Sequence, residues 1–501
     1  MLAILTVVIS YLGAFVVACT PPSRWREIRW VALITTILGL ATAVCCATRR
    51  DAADGGFQDV LRYDWIPSIG ASFHFGVDGI SLPLILVTGI VAVCAVLTSW
   101  RMETRANEFY AYFLALIGGV YGTFLSMDLF LLFVFYEIAI IPKYFIIAIW
   151  GSGRKGYAAM KLALYSFGGS ALVLFGILAV YFASGLETFD MVRLMNEGDF
   201  SPEFQVVFFA VTFIGFAVLA GMWPFHTWAP TGHAAAPVAA SMLLAGVVMK
   251  LGAYGCLRVA IGLFPWGAYY WAPTIAWLAV INIVYGALVA LNQKDFKYVI
   301  GYSSVSHMGF VLLGLATLNL EGFDGAVLQM FSHGVLGAAL FALVGGVIYV
   351  RTHTRKLDHF HRLIDRMPGV TWVFVVTGLA SMGLPGFSGF IAELYALIGV
   401  WKAEHLGAPI LLLAGLGILL AFGYVLVKTH EAFFRKSENT EENDPPTSYE
   451  PMTCAEKTAC GILLGCSLVV GLYPDILTQW IEPSLEPILE NIGKEVLRWT
   501  T

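Results

Sequence analysis

The sequence predicts an all-α integral membrane protein of about 14 transmembrane helices, with two inverted five-helix repeats. Three observations lead there. Of 501 residues, 58% are hydrophobic and only 13% charged, too apolar for a soluble fold that must clothe itself in charge. Apolar runs long enough to cross a hydrocarbon core of about 30 Å recur along nearly the whole chain. Two of those runs are too long for one helix, and each is interrupted near its middle by proline and glycine.

The runs fall at 1–19, 28–48, 78–100, 108–125, 127–150, 157–183, 205–235, 237–262, 270–291, 298–317, 325–350, 370–401, 408–429 and 457–475. The first, MLAILTVVISYLGAFVVAC, lacks a positive n-region and a clear small-residue cleavage site, so a retained span is expected. Connectors are short apart from 49–77, 184–204 and the polar stretch 435–456, and the tail 476–501 reads as an amphipathic surface segment. The seventh and twelfth runs hold 31 and 32 residues. At 1.5 Å per residue each would reach roughly 45 Å. Gly221, Pro224 and Pro230 punctuate one; Gly383, Pro385, Gly386 and Gly389 punctuate the other. Proline removes a backbone donor and clashes with the preceding turn, so both are read as discontinuous helices.

These breaks lie five helices apart, and a tandem unit of five helices is inverted in the membrane because five is odd. The expected divisions are 1–107 for helices one to three, 108–262 for the first repeat (helices 4–8) and 270–430 for the second (helices 9–13). Residues 431–501 hold a polar loop, the last helix and the tail. Loops after odd-numbered helices carry eighteen basic residues against eight on the other side. The positive-inside rule then places both termini away from the cytoplasm.

Composition also excludes. A net charge of −5 without a basic arm argues against nucleic acid, and the eight cysteines form no CxxC pair or Cys/His cluster. They read as packing residues. No haem, iron–sulfur, nucleotide or P-loop motif occurs, so redox chemistry is expected in partners.

Five ionisable residues fall well inside the runs: Glu137, Lys143, Lys161, Lys250 and Glu393. A charge in lipid costs several kcal/mol, so they are expected to face the bundle interior or water. For Lys143 and Lys161, nearer run ends, a snorkelling or structural role stands beside a functional one. For Glu137 (LFVFYEIAIIP), Lys250 (LLAGVVMKLGAYG) and Glu393 (GFSGFIAELYALIG) a proton relay is expected, since buried acids and amines can titrate near neutrality. His226 and His233 flank the break in helix seven, His307 begins helix ten (YSSVSHMGF) and His333 lies in helix eleven (QMFSHGVLG). An imidazole accepts on one nitrogen while donating from the other, so the set points to a hydrated polar axis. His353, His359 and His361 are expected at the surface, and Asp128 as the cap of helix five.

The stretches VDGISLPLILVTG (77–89), FYEIAIIPKYFIIAIWG (135–151), WPFHTWAPTGHAAAP (223–237), LAGVVMKLGAYGCLR (244–258), DFKYVIGYSSVSHMGFV (295–311), SHGVLGAALFALVGGVIYVRTHTR (332–355) and GLPGFSGFIAE (383–393) resemble the antiporter-like membrane subunits of respiratory complex I, most of all the subunit-M or subunit-4 type. Subunits of the L and N types, Mrp-type cation/proton antiporters and membrane-bound hydrogenase subunits are cousins. The resemblance implies a fourteen-helix subunit that moves protons across a bacterial inner membrane, driven by quinone reduction elsewhere. It implies L-, N-, K-, J-, A- and H-type membrane-arm partners in the lipid bilayer. It also implies no cofactor in this chain, with NADH, FMN, iron–sulfur clusters and quinone held by partner subunits. Glu137, Lys250 and Glu393 match the family's glutamate of helix five, lysine of helix eight and glutamate of helix twelve.

One departure stands out. The family's helix seven carries a lysine in a run like FAVKxPxxPxH, whereas here the run is FAVLAGMWPFH, with Leu219 for the lysine and Gly221 for the following proline. A WLPDAH-like run is replaced by WAPTGH. In the family that lysine partners the helix-five glutamate. Either Lys143 stands in, although six residues place it roughly 240° around the helix from Glu137, or the chain is a non-pumping coupling subunit. An Mrp-type antiporter subunit is the other alternative.

Overall fold

The computed structural model describes residues 2–360, 362–435 and 449–500. Its principal helices begin with α1 (Ala3–Cys19), α2 (Trp25–Arg49), α3 (Ser81–Thr98), α4 (Ala106–Leu125), α5 (Leu129–Trp150) and α6 (Lys155–Ser184). There follow α7 (Pro202–Ala220, resuming as Trp228–Ala235), α8 (Val238–Ile261), α9 (Pro265–Asn292), α10 (Phe296–Ala316) and α11 (Leu320–Thr352). The chain ends with α12 (Pro368–Ser381, resuming as Ser388–Lys402), α13 (Ala408–Phe434), α14 (Cys454–Leu472) and α15 (Asp475–Thr500). Among the described residues twelve helices are long and apolar enough to cross a membrane; α1 and the first half of α12 are shorter apolar helices. Each apolar run of the sequence coincides with one of α1 to α14. Most of the polar connector 435–456, and His361, lie outside the described residues.

The breaks in α7 and α12 are where the sequence puts them. Gly221 follows the first half of α7 at φ +81°, and Gly383 and Gly386 follow that of α12 at φ +84° and +99°, left-handed values that glycine adopts without a Cβ penalty. A broken helix exposes backbone groups that hydrocarbon cannot satisfy. In α7 the buried Asn282 of α9 supplies partners: its Oδ1 accepts from Trp223 N at 2.6 Å, and its Nδ2 donates to Gly221 O at 3.1 Å and to Val305 O of α10 at 3.0 Å. The Trp228 indole donates to Val218 O at 2.8 Å.

The connector 49–77, read from sequence as a loop, forms an antiparallel hairpin of β1 (Gln58–Ile66) and β2 (Ala71–Val77). Almost every residue of β2 is buried, so the strand lacks the in–out alternation that marks a half-exposed one. Asp128 joins it to the bundle. One carboxylate oxygen accepts from Phe130 N and Leu131 N, capping α5 as expected, and the other accepts from Ser72 N at 2.8 Å.

The tail is helical and amphipathic: Leu477, Ile481, Leu485, Ile488 and Ile492 of α15 are buried at three- to four-residue spacing. It lies at the hairpin end, where Ser484 Oγ accepts from Gly79 N at 2.9 Å. Ala3 N meets Asp59 of β1 at the same end, so both chain ends share one face of the bundle. The centre belongs to α8, α10 and α11, whose apolar windows are 100%, 94% and 89% buried.

Candidate functional site

Lys250 owes its setting to a defect in α8. The helix passes through a π-turn at Leu244–Val248, a departure common at functional sites, and the lysine Nζ then donates to Ala245 O. Here α8 and α11 meet backbone to backbone. A Cβ at Gly246 would lie 3.1 Å from the Gly334 carbonyl oxygen, and one at Gly334 would lie 2.9 Å from that of Gly246. This approach sets Lys250 Nζ 2.8 Å from His333 Nδ1, both residues being buried.

From His333 the string continues. Its ring lies 5.7 Å, centroid to centroid, from that of His307, with 30° between the planes. His307 Nδ1 is 3.1 Å from Glu393 Oε1, and its Nε2 lies 3.4 Å from Ser381 Oγ and 3.5 Å from Tyr424 Oη. Gln329 Nε2 donates to the same Glu393 oxygen at 3.4 Å. A Cβ at Gly383, inside the break of α12, would stand 3.1 Å from the other. The broken helix therefore leaves room for the carboxylate. Lys250, His333, His307 and Glu393 form a string across α8, α11, α10 and α12, made of an amine, two imidazoles and a carboxyl, the side-chain types used in proton transfer. Beside it Ser388 Oγ donates to Ser332 Oγ at 2.8 Å and lies 2.8 Å from Ser467 Oγ.

Among the described residues, none of the remaining expected residues is hydrogen-bonded to this string. His233 is fully buried and stacks on Phe341 at 5.0 Å, while His226 meets Tyr285 edge-on at 5.2 Å. Neither ring nitrogen of either histidine has a hydrogen-bond partner among the described residues. Lys161 is half-buried, its Nζ 3.5 Å from Thr231 Oγ1 beside the break in α7. Lys143 does not snorkel: it is 1% exposed, and its Nζ, like Glu137 Oε1, is buried without a hydrogen-bond partner among the described residues. The two are not in direct contact, but Glu137 is the charge that acts on the Lys143 ammonium. Leu219 is buried where α7 touches α8; a Cβ at Gly252 would lie 2.9 Å from the Leu219 carbonyl carbon.

Gln329, Ser332, Ser381, Tyr424 and Lys297 escaped the sequence reading. The first four are neutral, so no cost in lipid marked them. Lys297 counted as a loop cation, yet it is buried in the first turn of α10 with Nζ donating to Ala236 O at 2.8 Å. The signal was DFK: Asp295 caps the helix by accepting from Lys297 N at 2.9 Å, which draws Lys297 inside. His353 and His359 are exposed as expected.

Residues 126–419 match the family model described as NADH:quinone oxidoreductase/Mrp antiporter, TM. The chain is 38% identical over 485 residues to an NAD(P)H-quinone oxidoreductase chain 4 of Acaryochloris marina, covering 95% of this chain and 89% of that one. To an NADH-quinone oxidoreductase subunit M of Rhodobacter capsulatus it is 37% identical over 483 residues, 94% and 92% of the two chains. Among solved structures, a chain of respiratory complex I from Thermus thermophilus with bound NADH superposes with a TM-score of 0.89 at 25% identity, covering 98% of this chain and all of that one. A chain of the Mrp complex from Dietzia sp. shares the fold, with a TM-score of 0.84 at 21% identity over 98% of each chain. Family model, relatives and fold agree: the chain belongs to the NADH:quinone oxidoreductase/Mrp antiporter family of membrane subunits.

Proposed function

We propose that the chain is the subunit-M-type, proton-translocating subunit in the membrane arm of a complex I-type NADH:quinone oxidoreductase. Its path is the string Lys250–His333–His307–Glu393. The observation that carries this is the string itself, which links four helices through groups that titrate. The Lys250 ammonium donates to His333 Nδ1; a ring protonated there releases from its other nitrogen toward His307, and His307 hands on to Glu393. Quinone reduction, with NADH, flavin and iron–sulfur clusters, belongs to partner subunits, and this chain contributes the proton path.

The breaks in α7 and α12 support two five-helix repeats, 108–262 and 270–430, with α1 and α12 completing fourteen spans. The basic bias of the loops, together with both chain ends meeting at the hairpin, supports a periplasmic position for that end in a bacterial inner membrane. Lys143, on the same helix as Glu137 though not in contact with it, takes the part of the cation that Leu219 lacks.

Leu219 also favours a second reading, a coupling subunit that does not pump. Glu393→Gln in the complex, assembled into lipid vesicles, separates the two. A lower proton-to-electron ratio with quinone reduction retained supports pumping through the string; an unchanged ratio supports the coupling reading. A chain that purifies without hydrophilic redox subunits would instead favour a Mrp-type antiporter.

A further inference from the structure

Outside the string, the buried acids Asp78, Asp128 and Asp190 all have donors, and one further buried acid does not. Asp324, in the second turn of α11, is 1% exposed, and neither carboxylate oxygen has a hydrogen-bond partner among the described residues. An ionised carboxylate so placed pays its desolvation with no donor or cation to offset it. The charges that act on it are acids: Glu482, carried by α15, and Glu321, one turn earlier on α11. Tyr395 of α12 faces the same acids together with Asp475. The neighbouring cation, Lys402 of α12, is engaged by Glu321.

The position is between two known features. Toward the exterior, Glu482 is half-buried on the amphipathic helix that packs over this end of α11. Toward the interior, Gln329 follows five residues along α11, a rise of about 7.5 Å and a turn of roughly 140°. Its Nε2 reaches Glu393, and its Oε1 is buried without a partner among the described residues. At Gly325 the backbone of α11 touches α12, where a Cβ would lie 2.5 Å from Ala396 N. Asp324 is thus wedged where α11, α12 and α15 converge.

We infer that Asp324 is a proton-binding site, paired with Glu482 beneath the C-terminal helix, through which protons pass between Glu393 and the exterior at the hairpin end. This rests on the proton-translocating reading. Two carboxyl groups set together hold one proton between them more readily than two negative charges. Only protons move. The Glu393 O–H bond breaks as an Asp324 O–H bond forms, with water carrying the proton over the gap; Asp324 then passes it to Glu482, which releases it to bulk solvent.

Infrared spectroscopy of the assembled complex at neutral pH, compared in H2O and D2O, tests the site without requiring turnover. A protonated-carboxyl band is expected that shifts in D2O, disappears in Asp324→Asn and is displaced in Glu482→Gln. Carboxyl bands identical to wild type in Asp324→Asn would overturn the site. If that variant does not assemble, an unperturbed spectrum in Glu482→Gln, altered at a half-exposed position, does the same. A proton-to-electron ratio unchanged in Asp324→Asn but lowered in Glu393→Gln would overturn the route and leave the proposed function standing. A ratio unchanged in both would overturn that function as well.

Discussion

Lys250 Nζ lies 2.8 Å from His333 Nδ1, across a contact between residues 83 positions apart in sequence. The contact exists because α8 and α11 lack side chains at Gly246 and Gly334. Gly334→Val adds bulk where a Cβ already comes within 2.9 Å of a backbone oxygen. It should cost roughly 1–3 kcal/mol of stability by overpacking and lower the proton-to-electron ratio. Thermal unfolding of the purified complex and vesicle assays measure the two effects; wild-type values in both would remove the close approach from the account.

The proposed pairing of Glu137 with Lys143 on α5 makes a different demand. If Lys143 is the counter-charge of Glu137, then Glu137→Gln and Lys143→Met should each impair translocation more than the double change does. The coupling expected for interacting groups is roughly 0.5–3 kcal/mol. Moving the lysine with Leu219→Lys and Lys143→Met together should retain translocation. Independent, additive effects of the two single changes would show that Lys143 does not replace the missing cation.

At the hairpin, Asp128 holds both the first turn of α5 and the backbone of Ser72. Asp128→Ala should destabilise the subunit by about 1–2 kcal/mol and open the hairpin to protease, with Asp128→Asn milder. Equal protease resistance in all three proteins would contradict this.

Asp190 gives this end an acid dependence. It lies in the connector after α6, its carboxylate 3.0 Å from Arg62 and 3.3 Å from His74. Burial works to raise its pKa, but His74, the Arg193 backbone N–H and the Arg62 charge outweigh burial and hold it below the ordinary 3.8. A carboxyl depressed in the folded state contributes stability above its ordinary value and loses it as pH falls through the folded one. Hairpin docking, followed by hydrogen exchange, should therefore weaken as pH drops below 3.8, and Asp190→Asn should remove that acid-dependent loss. Retention of the same loss in Asp190→Asn would assign it to another group.

What the sequence disclosed follows from what lipid demands. Helices need apolar runs, and a break needs residues such as Gly221 and Gly383, so both were visible as composition. Charges in a run are costly, which singled out Lys250, Glu393 and Glu137. Neutral polar side chains carry no such mark, so Gln329, Ser332 and Tyr424 emerged only when α10, α11, α12 and α13 were brought together. The hairpin was hidden because β2 is covered on both faces. Lys297 was hidden because its helix starts earlier than the apolar run, at the Asp295 cap. The burial of Lys143 depends on neighbouring helices, which is why its position near the end of a run left two readings open.

The proposed function requires proton transfer through Lys250 and its imidazole neighbours. Its most direct test is the proton-to-electron ratio of the complex carrying Lys250→Met, reconstituted in sealed vesicles with quinone reduction followed in parallel. A lowered ratio is expected while electrons still reach quinone in the assembled complex. A wild-type ratio in that variant would contradict it.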